Sequence, residues 1–232
     1  MIVMSLIMKN LKSSLFQNDY VHDNLFYSYN ESSPLVAQEK QQRFHSLMNF
    51  FTKLATTIGA TTLLFSTTPV HATGTIEEHQ VLMNSLQAVG VNVYVNPRKC
   101  LEHEDLNGAY WPGLRTLMIC QDNAKIYNGR MIPWTDADLN TLRHEAHHVV
   151  QDCNNGGLGD RRSSRLFQNT NQLANFIGNA MSPEQFMHIV RVYDEAGTST
   201  RDILMETEAF AVAETVSPLT ISRKLIEFCG VN

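Results

Sequence analysis

The sequence lacks the excess of basic residues that binding to nucleic acids or anionic membrane surfaces requires. It has 18 Lys and Arg residues against 23 Asp and Glu residues, which gives a formal net charge of -5. Its one short basic patch, Arg161, Arg162 and Arg165, is predicted to be a solvated loop. The charge balance therefore argues against nucleic acid as the main partner.

Long apolar runs and closely paired cysteines are also missing. The apolar stretch at residues 54–65 contains four threonines and spans about a dozen residues, whereas a membrane-spanning helix needs about 20. No Cys-x-x-Cys pair occurs, which argues against a zinc site of the cysteine type. The sequence therefore predicts neither a membrane-spanning helix nor a cysteine-based metal site.

Residues 48–72 have the layout of a secretory signal peptide. The basic residue Lys53 precedes the apolar stretch, and residues 70–72 form a small-residue site with cleavage expected after Ala72. A buried helix is the alternative interpretation of the same stretch. The signal-peptide interpretation predicts a secreted or periplasmic protein, with no stable membrane insertion after cleavage.

Residues 1–47 lie upstream of this predicted signal peptide. Their Ser, Asn and Gln content and their lack of apolar periodicity indicate a disordered leader, or a segment that precedes a true initiator at Met48. The working domain is then predicted to be residues 73–232, which are numerous enough for one globular domain.

The four cysteines agree with export. Cys100, Cys120, Cys153 and Cys229 all follow Ala72, and an even number of cysteines in an exported chain predicts two disulfide bonds. Three pairings are possible, and we favour Cys100 with Cys120 and Cys153 with Cys229. Free buried thiols are the alternative.

Periodicity and turn signals predict an α+β domain in which a small antiparallel sheet is followed by a mostly helical lobe. Residues 91–95 alternate in polarity and are rich in β-branched side chains, as strands often are. The other predicted strands are residues 114–120 and 125–127. The predicted helices are residues 77–88, 136–151, 166–180, 183–193 and 218–229, together with a helix that Thr198 or Ser199 caps and that contains residues 205–216.

The residues with the clearest chemistry are His144-Glu145-Ala146-His147-His148, a His-Glu-x-x-His motif within the predicted helix that Thr135 caps. Histidines four residues apart on a helix lie on one face, so they can bind one zinc ion together. The glutamate that follows the first histidine is the expected general base. The remaining histidine of the motif, His147, is predicted to lie outside the ligand set.

A catalytic zinc keeps three protein ligands and one open position, so a third ligand is required. The predicted helix at residues 205–216 contains Glu206 and Glu208 among small and aromatic residues. Helical phase does not separate these two glutamates, and Glu214 is a weaker candidate. The helical pattern therefore leaves both Glu206 and Glu208 as candidates for the third ligand.

These motifs resemble the zincin metallopeptidases. The His-Glu-x-x-His motif at residues 144–148, followed 58 residues later by Glu-x-Glu-Ala at residues 206–209, is similar to the glutamate-type zincins. In their membrane-associated group, the first Glu of a Glu-x-x-Ala-Asp motif is the third ligand, which corresponds to Glu206. Phe210 stands in the place of that Asp. The resemblance extends from residue 114 to about residue 216 and indicates the class rather than a single family.

The resemblance implies a zinc-dependent metallohydrolase, more specifically a metallopeptidase that acts on a peptide or protein substrate. The predicted signal peptide makes it a secreted one. One zinc ion per chain would be held by His144, His148 and Glu206. Glu145 would act as the general base in hydrolysis by metal-activated water. Tyr193 is a possible oxyanion stabiliser.

Two further sites follow from the same resemblance. His188 and Tyr127 are the other candidates for the oxyanion stabiliser. Residues 114–120, or residues 125–127, would form an edge strand along which a peptide substrate lies.

Two other functions fit the same sequence. A secreted module with the zincin fold could use its surface to bind a partner without catalysis. Alternatively, the chain could be a metal-free, disulfide-braced helical interaction protein. Zinc content and a peptide-cleavage assay distinguish these two from the metallopeptidase.

Overall fold

The fold is described here from a computed structural model, which describes residues 74–103, 106–121 and 132–230. The predicted leader, the predicted signal peptide, and residues 125–127 with Tyr127 lie outside these ranges. In the described part of the chain, no helix combines the length and the apolar character needed to cross a membrane.

The described residues form seven α-helices and three strands, in the α+β arrangement that the sequence predicts. The strands are β1 (Asn92–Val95), β2 (Gly108–Trp111) and β3 (Thr116–Ile119). The helices are α1 (Ile76–Ala88), α2 (Arg98–Glu102), α3 (Asp136–Cys153), α4 (Thr170–Ala180), α5 (Pro183–Glu195), α6 (Thr200–Thr215) and α7 (Pro218–Cys229). Most of the helical chain follows the sheet, as expected.

The sheet is mixed, so the prediction of a wholly antiparallel sheet was wrong. The strand order is β1-β3-β2, with β1 parallel and β2 antiparallel to β3. Parallel neighbours need a crossover connection, and the chain between β1 and β3 supplies it through α2 and β2. Strand β3 therefore lies in the centre, paired on both sides. The segment 114–120 cannot be the edge strand that was expected to receive a peptide.

Helix α3 is positioned by a capping box and by its packing against α6, α7 and β2. The side chain of Thr135 accepts a hydrogen bond from the backbone N–H of Asp138, whose carboxylate accepts one from the backbone N–H of Thr135 at 2.9 Å. The apolar face of α3 enters the main core, where Leu142 and Val149 pack with Tyr110 of β2. The motif helix is thus buried along most of its length.

Both favoured disulfide bonds are confirmed. Cys100 in α2 is bonded to Cys120, directly after β3, and Cys153 at the end of α3 is bonded to Cys229 at the end of α7. The second bond joins the motif helix to the C-terminal helix across 76 residues of sequence.

A buried histidine connects α1 to α3 and gives the fold a predicted pH dependence. The Nδ1–H of His79 donates to the carbonyl of Thr75 at 2.8 Å, and its Nε2 accepts from the guanidinium of Arg143 at 2.7 Å. Burial, aided by the charge of Arg143, lowers the pKa of His79, against the opposing effects of the Thr75 hydrogen bond and Glu78.

Because the unfolded chain binds this proton more readily, the stabilisation from neutral His79 is present above the unfolded pKa, about 6.5. It is lost as the pH falls below that value. Between pH 7 and pH 5, we expect the wild type to take up more protons on unfolding than His79→Gln does, by as much as about one. Denaturant titrations at several pH values measure this difference. The same pH slope in both proteins would contradict the assignment.

Candidate metal centre

Two histidines from α3 and one glutamate from α6 converge on one point. The Nε2 atoms of His144 and His148 lie 3.0 Å apart, and Oε2 of Glu206 lies 3.4 Å from each. All three side chains are almost fully buried. Among the described residues, this is the only group of three or more His, Cys, Asp and Glu side chains that could hold a metal ion.

The spacing and chemistry of these donors fit zinc. Ligand atoms at about 2.0–2.1 Å from a tetrahedral zinc are about 3.3 Å apart, and the observed separations of 3.0 to 3.4 Å are close to that value. Two imidazoles and one carboxylate form the ligand set of several catalytic zinc sites. The donor set therefore fits a zinc ion with a fourth position for water or substrate.

The donors meet because α3 and α6 lie close together. At one end of the contact, Arg143 donates through Nε to the carbonyl of Ala213 at 2.8 Å. At the other end, Gln151 donates through Nε2 to the carbonyl of Met205 at 3.1 Å. Ala209 is fully buried between these ends, and its small side chain is compatible with the close approach of the two helices.

The electrostatics of the three donors are strongly coupled. Burial opposes the charge on Glu206, but His148 and His144 outweigh it and lower the pKa of Glu206 to about 2. Burial also opposes the charge on His148, but Glu206, with Glu145 and Gln151, raises the pKa of His148 to about 9. Burial lowers the pKa of His144 to about 4. The carboxylate is thus kept ionised, as a metal ligand must be.

Glu145 lies beside the donors and against the sheet. Its side chain is fully buried, and its charge is one of the influences that raise the pKa of His148. Strand β2 crosses it at Gly108, where an added Cβ would lie 2.9 Å from Cγ of Glu145 and 2.6 Å from Cγ2 of Thr141. Glycine at this position therefore lets the strand pass directly over the glutamate.

Of the described candidates for an oxyanion stabiliser, only Tyr193 lies at the site. Its hydroxyl donates to Oε2 of Glu206 at 2.9 Å, whereas His188 is exposed on α5. The structure thus places Tyr193 beside the third donor.

Glu208 is not part of the donor group. Its carboxylate accepts hydrogen bonds from His147 at 2.9 Å and from Gln151 at 3.1 Å, and also from the backbone N–H groups of Leu166 and Phe167. Hence the structure brings Glu206, and not Glu208, to the two histidines. His147 lies outside the donor group, as predicted, but it is buried against Glu208.

Sequence reasoning missed Gln151. Its Oε1 accepts a hydrogen bond from Nδ1 of His148 at 2.8 Å. The available signal was its position three residues after a candidate ligand on the same helix, where side chains are neighbours.

Comparison with known proteins gives a match to a family model. The family model described as a domain of unknown function (DUF8637) matches residues 50–229, which include all of the residues of this site. No curated protein and no solved structure matches the chain.

Proposed function

The chain belongs to the family described as a domain of unknown function (DUF8637), and we propose that it is a secreted, zinc-dependent metallopeptidase. One zinc ion would be held by His144, His148 and Glu206. The observation that carries the proposal is the convergence of these three donors, 3.0 to 3.4 Å apart, beside the buried Glu145.

Each residue of the site has a role in this proposal. Zinc, when bound, supplies Lewis-acid activation of water and of the scissile carbonyl. Glu145 accepts the proton of the attacking water and delivers it to the leaving amine. Tyr193 holds Glu206 by a hydrogen bond and is the candidate donor to the oxyanion.

Strand β2 takes the place that the sequence assigned to residues 114–120. Among the described residues, β2 lies at one edge of the sheet and passes over Glu145 at Gly108. A peptide that adds alongside β2 would gain backbone hydrogen bonds with little sequence selectivity. The first three residues of β2 are buried, so this addition requires the edge to become accessible, and we place the scissile bond next to it.

The two disulfide bonds support the secreted or periplasmic location. Disulfide bonds form and persist in oxidising compartments and are rare in the cytosol. The signal peptide at residues 48–72 stays a prediction from the sequence.

The burial of the site favours one other function, a non-catalytic module that keeps the metal. His144, Glu145, His148 and Glu206 are at most 3% exposed, whereas a catalytic zinc keeps one coordination position open. A zinc-loaded protein that cleaves no member of a broad peptide library would support this alternative. Cleavage that requires zinc would support the metallopeptidase.

Metal analysis of Glu206→Ala and Glu208→Ala tests the ligand set. We expect about one zinc per chain in the purified wild type. Loss of Glu206 should weaken zinc binding by more than the roughly 10- to 100-fold that loss of an outer partner costs. Glu208→Ala should keep the stoichiometry at saturating zinc.

Two outcomes would overturn the ligand set. Zinc lost from Glu208→Ala but kept by Glu206→Ala would make Glu208 the ligand. No zinc in the wild type would favour the metal-free interaction protein.

A further inference from the structure

Glu208 is a buried carboxylate that lies outside the metal donors and binds four hydrogen-bond donors. Oε1 accepts from Nε2 of His147 at 2.9 Å, from Nε2 of Gln151 at 3.1 Å and from the backbone N–H of Leu166 at 3.0 Å. Oε2 accepts from the backbone N–H of Phe167 at 3.1 Å. A buried charge is tolerated only when such donors replace water. The four contacts therefore hold this carboxylate in one position.

The carboxylate in turn sets the orientation of Gln151. Both partners of Gln151 Nε2, the carboxylate of Glu208 and the carbonyl of Met205, accept hydrogen bonds and donate none. If the side-chain amide of Gln151 were flipped, its oxygen would face these two acceptors and could form no hydrogen bond with either. Oε1 of Gln151 must therefore face Nδ1 of His148, which lies 2.8 Å away.

This orientation selects the tautomer of His148 that binds a metal. Because Oε1 of Gln151 only accepts, Nδ1 of His148 must carry the hydrogen. In the neutral ring, the form that binds a metal, Nε2 then carries the lone pair, at the point where His144 and Glu206 also converge. The hydrogen bond made by one ring nitrogen thus fixes the state of the other.

The other histidine is held differently. Nδ1 of His144 is buried and has no hydrogen-bond partner among the residues that the structure describes. Its ring lies against that of Phe210, with the ring centroids 4.3 Å apart. The hydrogen-bond network of Glu208 therefore acts on His148 and not on His144.

We propose that Glu208 is a positioning residue that fixes the orientation and tautomer of His148 through Gln151. It also joins the metal site to the segment after α3, because the backbone of Leu166 and Phe167 is bonded to the same carboxylate. This inference rests on the metal site of the proposed function.

Replacement of Glu208 by glutamine tests the positioning role. The amide has nearly the same shape, but it loses the charge and one of its two acceptor atoms. We expect a 10- to 100-fold loss of zinc affinity, measured by competition with a chelator. Glu214→Gln is the matched control, because Glu214 also lies on α6 and accepts from Asn140 of α3 at 3.0 Å. Glu214 is not a member of the donor group, and the zinc affinity of this variant should equal that of the wild type.

A second variant tests the route through Gln151 and does not depend on the folding of Glu208→Gln. Gln151→Met removes the acceptor for His148 but leaves Glu208 bonded to the segment after α3. We expect a similar loss of zinc affinity. When Gln151 is already replaced by Met, Glu208→Gln should lower the zinc affinity further by less than about twofold. The effects of two substitutions are not additive when one residue acts through the other.

Nitrogen-15 NMR of the imidazoles supplies a readout that a merely structural role would not change. In the zinc-loaded wild type, we expect His148 to carry its hydrogen on Nδ1, with a sharp signal. In Gln151→Met, the hydrogen bond at Nδ1 of His148 is lost, so the NMR signal of this nitrogen should shift. Unchanged signals would contradict the proposed route.

The failures of the two proposals can be told apart. A wild type that binds no zinc would overturn the metal site and, with it, this inference. A wild type that binds zinc, together with Gln151→Met and Glu208→Gln variants of equal affinity, would overturn the inference alone. Lower thermal stability of Glu208→Gln in that case would make Glu208 an anchor for the segment after α3.

Discussion

Replacement of Glu145 by glutamine is expected to slow peptide hydrolysis by about 100- to 10,000-fold, the range that a general base contributes. The amide keeps the size of the side chain but cannot accept the proton of the attacking water. The three metal donors are unchanged, so zinc should stay bound at about one per chain. Initial rates on a peptide library and metal analysis of the same preparation measure both quantities.

Glu214→Gln is the control for this replacement. It makes the same chemical change on α6, at a carboxylate that accepts from Asn140 of α3. We expect its activity to match that of the wild type. Full activity of Glu145→Gln would overturn the assigned role, and loss of its zinc would show that Glu145 supports the metal site instead.

Removal of the disulfide bond between Cys153 and Cys229 is expected to have the largest effect on stability. The two cysteines are 76 residues apart in sequence, and the entropy of an unfolded loop of that size corresponds to about 4.5 kcal/mol. For a domain of this size, that loss lowers the melting temperature by roughly 10 °C. Urea unfolding of the double variant Cys153→Ser, Cys229→Ser measures the change in the free energy of unfolding.

The other disulfide bond provides the matched comparison. Cys100 and Cys120 are 20 residues apart, which corresponds to about 3 kcal/mol by the same relation. We therefore expect the double serine variant at Cys100 and Cys120 to be the less destabilised of the two. The opposite order would show that local packing at these bonds outweighs the entropy of the unfolded loop.

The motif helix could be predicted because its signals are local. Thr135 and Asp138 lie three residues apart and form the capping box observed at the start of α3. The serine before Pro183 caps α5 in the same way. Helix α4 begins at Thr170 rather than at residue 166, because Asn169 caps it with its side chain. Such boundaries depend on a few neighbouring residues, so a single sequence contains most of the information.

The sheet was harder to predict because strand pairing depends on distant residues. Strand β2 is only four residues long and is followed directly by Pro112, a residue that marks turns in a sequence. Its first three residues are buried, and it passes over α3 at Gly108. No local pattern shows that β1 would lie parallel to β3, since that pairing requires the chain to return through α2 and β2.

The sequence by itself determined that His144 and His148 lie on one face of a helix, because the α-helical repeat places residues four apart on the same side. It also determined that Glu145 lies next to them. Only the tertiary structure decided between Glu206 and Glu208. Residues two apart are separated by about 200° around a helix, and both carboxylates nevertheless reach α3. The packing of α6 directs Glu206 to the two histidines and Glu208 to His147 and Gln151.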